Sequence, residues 1–322
     1  MTQTRDRTLS GVGLVLVGIG SVQIGAGVAT FLFPLAGPGG AVWLRLLLSA
    51  VLLAVLWPPS RLPWAAILRR RRGDSRQGGD RQGGDPQGGD PQGLGWDGRT
   101  WWTVVAFGVV LAGMNWSFYE SLARIPLGIA VAIEFAGPLA LSMALSRRWT
   151  DAAWAVLAAA GLAGLTLIGA GTHGADLIGI GFAAIAGALW ACYILISQRV
   201  GRLVPGMRGL SVALVIGAIL TTPVGLAAGS RLWDWQVVGL AAAVALLSTA
   251  VAYGAELEAL RRLPARVFGV LMSIEPALAA LIGLVLLGQL LAPGEWWGIA
   301  AICLASVGAT LTAHRRTSPD PP

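Results

Sequence analysis

The chain has 322 residues, 55% of them apolar and 12% charged, with a formal net charge of +7. Apolar runs recur along almost the whole length, which excludes a soluble globular enzyme and makes this a polytopic membrane protein. The basic excess is carried by 23 residues that are all arginine; in a chain without a soluble basic domain it reports topology, and no nucleic-acid partner is implied.

A basic lead with Arg5 and Arg7 precedes the apolar run from Gly11 to Phe33. It is longer than a signal-peptide core and lacks a clear small-residue cleavage site, so it is expected to be a retained first span. Apolar windows broken by Pro, Gly and charge then predict about ten spans, at 11–33, 38–58, 101–122, 126–146, 151–170, 177–197, 208–229, 236–258, 264–287 and 294–314. The expected fold class is an all-α polytopic membrane protein. Every arginine except Arg45, Arg124 and Arg231 falls at the chain ends or in alternate loops. By the positive-inside rule both termini of this multi-pass protein are expected to be cytoplasmic.

The long connection at 59–100 holds a pentapeptide repeat, RQGGD RQGGD PQGGD PQGLG, from Arg76 to Gly95. Gly, Gln and alternating charge cannot build a core, so a flexible cytoplasmic linker is expected. Residues 1–58 are then the first two helices of one repeat, 101–170 its remaining helices, 171–314 a second repeat and 315–322 a cytoplasmic tail. The repeat is visible at an offset of 138 residues: Glu120, Leu122, Arg124, Pro126 and Pro138 match Glu258, Leu260, Arg262, Pro264 and Pro276. Five spans per half is an odd number, so the halves insert in opposite directions, as in many secondary transporters with a site near mid-membrane.

Glu134 stands inside the fourth run. Counted from Pro126 at the helical rise, it lies about 12 Å into a hydrocarbon layer about 30 Å thick. An intramembrane carboxylate points to a transport or proton-coupling site. Glu275 lies about 16 Å into the ninth run by the same arithmetic. Both can hold a substrate ammonium or exchange a proton, or else bond backbone freed by Pro138 and Pro276. Arg45, about 10 Å inside the second run, either pairs with one of these acids or clamps a substrate carboxylate bidentately. Asn115 with Tyr119, and Tyr253 with Glu256, share helix faces that read as cavity lining or as interhelical bonds. Gln23, Trp190 and Tyr193 are further candidates, the last two also as interfacial anchors. Cys192 and Cys303 read as small buried residues. His173 and His314 are too far apart to suggest a metal site, and no cofactor or metal is expected. No Ser-His arrangement or paired-Asp motif suggests an enzyme.

Several stretches carry a resemblance: SVQIGAGVATFLFP at 21–34, WLRL at 43–46, MNWSFYESLARIPLGIAVAIEFAGPLALSMALSRR at 114–148, LWACYILISQRVG at 189–201 and ELEALRRLPARVFGVLMSIEPALAALIGLVLLGQ at 256–289. They resemble the EamA family of the drug/metabolite transporter superfamily, threonine/homoserine exporter type. The resemblance implies ten helices in two inverted five-helix repeats, cytoplasmic termini and export of a small-molecule substrate, often an amino acid. Two residues depart from the family pattern: Gln289 stands where an acid is usual after LLG, and Ala252 where a proline commonly precedes the tyrosine. The expected function is a secondary transporter exporting threonine- or homoserine-like amino acids or related metabolites, driven by proton antiport. The alternatives are efflux of drugs or other metabolites and a non-transporting scaffold. Oligomeric state is not encoded in any feature of the sequence.

Overall fold

The computed structural model describes residues 2–56, 96–145, 149–172, 176–204 and 207–314. Most of the predicted linker lies outside these residues, as do His173 and the C-terminal tail. The described elements are helical throughout: α1 Thr2–Thr30, α2 Phe33–Leu56, α3 Gly98–Leu122, α4 Leu127–Ala144, α5 Trp149–Thr172, α6 Leu177–Leu203 and α7 Arg208–Leu226. After a short 3₁₀ turn follow α8 Trp235–Ala245, a π-turn Leu246–Val251, α9 Ala252–Arg262, α10 Ala265–Met272, α11 Glu275–Leu287 and α12 Pro293–His314. Among the described residues nine segments are long and apolar enough to cross a bilayer, and α5 adds a shorter apolar stretch, Ala152–Leu165. Counting α8 with α9 and α10 with α11 as single passages, the chain crosses ten times, as expected, and its two ends lie on one face.

Local chemistry sets the boundaries. Asp97, Asp176 and Asp234 each accept a backbone N–H in the first turn of α3, α6 and α8, satisfying donors that the helix itself leaves unpaired. Gly288, at φ 65°, closes α11 in the left-handed region. The predicted break between the first two spans at 33–38 becomes a kink at Gly37, φ 67°, inside α2 rather than a separate loop. The last helices differ more. Passage eight is interrupted by the π-turn, directly before Ala252, so the irregularity that a proline would impose is supplied here without one. Passage nine is broken at Ser273 and Ile274, whose N–H groups bond three residues back, and Pro276 follows at the start of α11 with no N–H to give.

The main packing pairs are α3 on α6 and α7, α5 on α12, α2 on α7 and α8, α4 on α6 and α11, and α1 on α9 and α11. Exchanging each passage with the one five later maps these pairs onto one another, as two equivalent halves require. Backbone detail at the 138-residue offset agrees. Pro126 (φ −56°, ψ 144°) and Pro264 (φ −58°, ψ 141°) adopt the same conformation at the same helix starts. Each follows an i, i+4 ion pair, Glu120 with Arg124 at 3.2 Å and Glu258 with Arg262 at 2.7 Å.

Glycine brings the helices together where the site forms. A Cβ on Gly187 of α6 would sit 2.6 Å from the Glu134 carbonyl oxygen, and one on Gly137 would collide with the Gly187 backbone. That Glu134 carbonyl is the acceptor Pro138 leaves without its helical N–H. Gly298, from a GxxxG spacing, likewise lies against the Gly161 carbonyl.

Candidate functional site: a charged cluster at the junction of the halves

Arg45 projects from the middle of α2. Its Nη1 donates to Asn115 Oδ1 at 2.7 Å, and its guanidinium lies 5.6 Å from the centre of the Tyr119 ring, a cation–π contact. Asn115 Nδ2 in turn donates to the Leu111 carbonyl at 2.8 Å, fixing the amide with its oxygen toward Arg45. Asn115 and Tyr119 thus share a face of α3 as predicted, and both are buried. Tyr119 is also packed by Phe33 and Phe118, and its hydroxyl has no hydrogen-bond partner among the described residues.

The expected ion pair between Arg45 and an acid is absent among the described residues. Neutral partners hold the guanidinium instead, which leaves its charge uncompensated by direct contact. Glu134 and Arg45 are nonetheless close enough for their charges to interact, as are Glu134 and Glu275. Glu134 itself is buried and makes no hydrogen bond among the described residues. The alternative reading, in which Glu134 or Glu275 bonds backbone freed by a proline, finds no such bond among the described residues.

Glu275 begins α11 beside the break in passage nine. Gln23 Nε2 of α1 donates to its Oε1 at 2.9 Å, across 252 residues of sequence. Glu275 Oε2 and Gln23 Oε1 both remain buried without a partner among the described residues. Glu256 of α9 packs its Cγ where a Cβ on Gly18 of α1 would come within 3.1 Å, and its charge reaches Glu275. The cluster breaks the symmetry of the halves. Gly137, the offset mate of Glu275, meets Gly187 on α6, whereas Glu275 meets Gln23 on α1.

The remaining candidates separate. Trp190 stacks edge-on against Phe135, with ring centres 5.7 Å apart, next to Glu134. Tyr193 packs against Phe107 at 5.1 Å, in the contact between α3 and α6. Both sit away from the ends of α6, Leu177–Leu203. The Tyr253 side chain lies outside the described residues. Cys192 is exposed on α6, not buried as expected, and Cys303 is half-buried. Gln289 has a plain structural role, since its Oε1 accepts the Leu127 N–H at 2.9 Å and caps α4, the helix that carries Glu134. Sequence reasoning did not find the bonds that hold the π-turn, Ser21 Oγ to the Leu247 carbonyl at 2.7 Å and Ser49 with Thr249 at 2.8 Å. Small hydroxyls are common in membrane helices, and nothing in their spacing marks these residues.

A cleft of about 700 Å³ opens on the face opposite the chain ends, lined among others by Pro34, Gly37, Trp116, Glu120 and Arg231. Trp116 and Glu120 follow Asn115 and Tyr119 by one residue each on α3, and the cluster residues themselves are not among the cleft's lining.

Two buried carboxyl groups without ion-pair partners among the described residues, Glu134 and Glu275, and a broken passage are features that membrane transporters use. Residues 177–311 match the model of the EamA-like transporter family. Over 305 residues the chain is 41% identical to the threonine/homoserine exporter RhtA of Escherichia coli (strain K12), covering 94% of this chain and 92% of that one. The chain belongs to the EamA family. RhtA of Salmonella typhimurium (strain LT2) is 40% identical over 303 residues, covering 94% and 92% of the two chains. The uncharacterized transporter YwfM of Bacillus subtilis (strain 168) is 28% identical over 218 residues, or 63% of this chain and 71% of that one. A protein of known crystal structure, 21% identical, shares the fold with a TM-score of 0.55 over 96% of this chain and 99% of its own. Family membership makes the chain a multi-pass membrane transporter and not an enzyme.

Proposed function

We propose that this EamA-family chain exports small amino acids, threonine and homoserine first among them, across the bacterial cytoplasmic membrane in exchange for protons. The observation that carries the reading is Arg45, held by Asn115 and Tyr119 with no acid in salt-bridge contact among the described residues, yet within electrostatic reach of Glu134. A guanidinium matches a carboxylate bidentately, and a buried carboxylate matches an ammonium. With the solute between them, the two would complement an amino-acid zwitterion and offer little to an uncharged solute. The RhtA relatives, named as threonine/homoserine exporters, support the same substrate class.

In this reading Arg45 takes the substrate carboxylate, Glu134 its ammonium, and Asn115, Tyr119, Tyr253 and Trp190 the wall. The arginine distribution supports cytoplasmic termini, with the cleft beside Glu120 and Arg231 as the outward mouth. Residues 1–58 with 101–170, and 171–314, form the two inverted halves. The linker at 59–100 and the tail at 315–322 lie in the cytoplasm.

The test is efflux of preloaded radiolabelled threonine and homoserine from cells lacking their own exporters, under an imposed proton gradient. Efflux from the intact chain that vanishes in Glu134→Gln, with equal amounts of protein in the membrane, is expected. A well-expressed intact chain that moves neither amino acid overturns the substrate assignment.

A further inference from the structure

We propose that the pair Gln23–Glu275 is a coupling-proton site separate from the substrate site, and that Glu256 connects it to the face carrying the chain ends. This rests on the export reading above and divides the labour within it.

The geometry points to a missing hydrogen. Gln23 uses one amide donor on Glu275 Oε1, and what remains in this buried contact is two acceptors facing no donor among the described residues, Gln23 Oε1 and Glu275 Oε2. Both residues are more than nine-tenths buried. A buried acceptor without a donor is costly. Another acceptor, such as a substrate carboxylate, would worsen the site; a proton on Glu275 Oε2 repairs it by turning one acceptor into a donor. Two oxygens are also too few for a hard metal cation, which takes about six or more.

The surroundings give the proton a route. Glu275 is bonded by Gln23 on α1, and its charge interacts with those of Glu134 on α4 and Glu256 on α9. Arg45 on α2 acts on Glu134, and Glu295 on α12 is engaged at 2.6 Å by the Ala292 N–H. Gly18, which faces Glu256, precedes Gln23 by five residues on α1, about 7.5 Å along the axis. Glu256 is therefore nearer the face where α1 begins, and Glu134 lies on the substrate side. When the proton leaves, Glu275 Oε2–H gives it, through an intervening water, to the Glu256 carboxylate; Glu275 becomes the anion and Glu256 the acid, and Glu256 then releases the proton to that face. The ammonium and the proton thus occupy neighbouring acids whose charges interact, so loading one disfavours the other. That is the requirement of antiport.

The experiment is infrared difference spectroscopy of the purified full chain in lipid nanodiscs on a pH step, paired with proton and threonine fluxes in proteoliposomes. A protonated-carboxyl C=O band that disappears in Glu275→Gln and shifts in frequency in Gln23→Leu is expected. In Glu256→Gln the band persists while proton flux falls about a hundredfold, the lower end of what a positioned acid or base contributes. Replacing sodium by choline is expected to change nothing. The proposal is overturned if the band survives in Glu275→Gln, if Gln23→Leu leaves its frequency unmoved, or if flux depends on sodium. A band that behaves as expected in a chain that moves no threonine keeps the proton site and removes the substrate assignment instead.

Discussion

Asn115 does two things at once: it back-bonds to its own helix through Leu111 and presents its oxygen to Arg45. Replacing it by leucine keeps the volume but removes the hydrogen-bond acceptor that holds the guanidinium. A hydrogen bond to a charged group contributes about 1.5–3 kcal/mol, so Asn115→Leu should weaken threonine binding by about ten- to a hundredfold while the protein still inserts and folds. Equilibrium binding and a thermal melt of the same preparation check both halves of that expectation. Much of this was legible at the level of single residues. Arg45, Glu134, Glu275, Asn115 and Tyr119 stand out because ionisable and amide side chains are expensive in hydrocarbon. Their partners were not legible. Arg45 was expected to seek an acid and instead meets an amide and an aromatic face, and Gln23 finds Glu275 across 252 residues, a contact that only the packing of α1 on α11 creates.

At the scale of elements, two positions test how the helices are set. Gly187 lets α6 approach the Glu134 carbonyl, and the atoms a Cβ would meet there are backbone, which cannot rotate away. Gly187→Ala should cost about 1–3 kcal/mol and lower the thermal midpoint, because the two helices must part. It should also impair transport, since the helix that moves carries Glu134. Asp97 caps α3 through the Thr100 N–H at 2.9 Å, and that bonding holds its carboxyl below the usual aspartate range. A depressed pKa in the folded chain stabilises above the ordinary aspartate pKa and is lost as pH falls through the lowered value. Asp97→Ala should therefore lower the melting temperature near neutral pH, and the difference from the intact chain should shrink in acid. Prolines, glycines, charge and hydrophobic run lengths placed the helix starts from α3 onward within a few residues. The π-turn and the break at Ser273 were not predictable, because the bonds found there join distant passages: Ser21 to Leu247 and Ser49 to Thr249 at the π-turn, and Ser273 to Ser306 at the break.

The whole molecule is two halves that share a packing scheme and differ in chemistry. The faint offset of 138 residues carried real information: the matched prolines start equivalent helices after equivalent ion pairs. Equivalence ends at the centre, where one crossing joins Gly137 to Gly187 and its counterpart joins Glu275 to Gln23. In the export reading proposed above, a symmetric scaffold would supply two alternating arrangements and an asymmetric pair of sites would let each favour a different occupant. The arginine pattern predicts which way the scaffold faces. With Cys192 and Cys303 replaced, single cysteines at Thr4 and Thr317 should react only with reagents admitted to the cytoplasm, and one at Ser230 with impermeant reagents from outside. Labelling of the ends from outside would reverse the orientation and with it the sense of transport.

The most direct measurement is equilibrium binding to the purified chain of threonine, threonine amide and N-acetylthreonine, repeated with Arg45→Gln and Glu134→Gln. A site that reads both ends of a zwitterion should bind threonine about ten- to a hundredfold more tightly than either blocked analogue, since each lost charged hydrogen bond is worth about 1.5–3 kcal/mol. Arg45→Gln should erase the preference over the amide, and Glu134→Gln the preference over the N-acetyl compound. Equal affinity of the intact chain for all three would contradict a zwitterion held between Arg45 and Glu134.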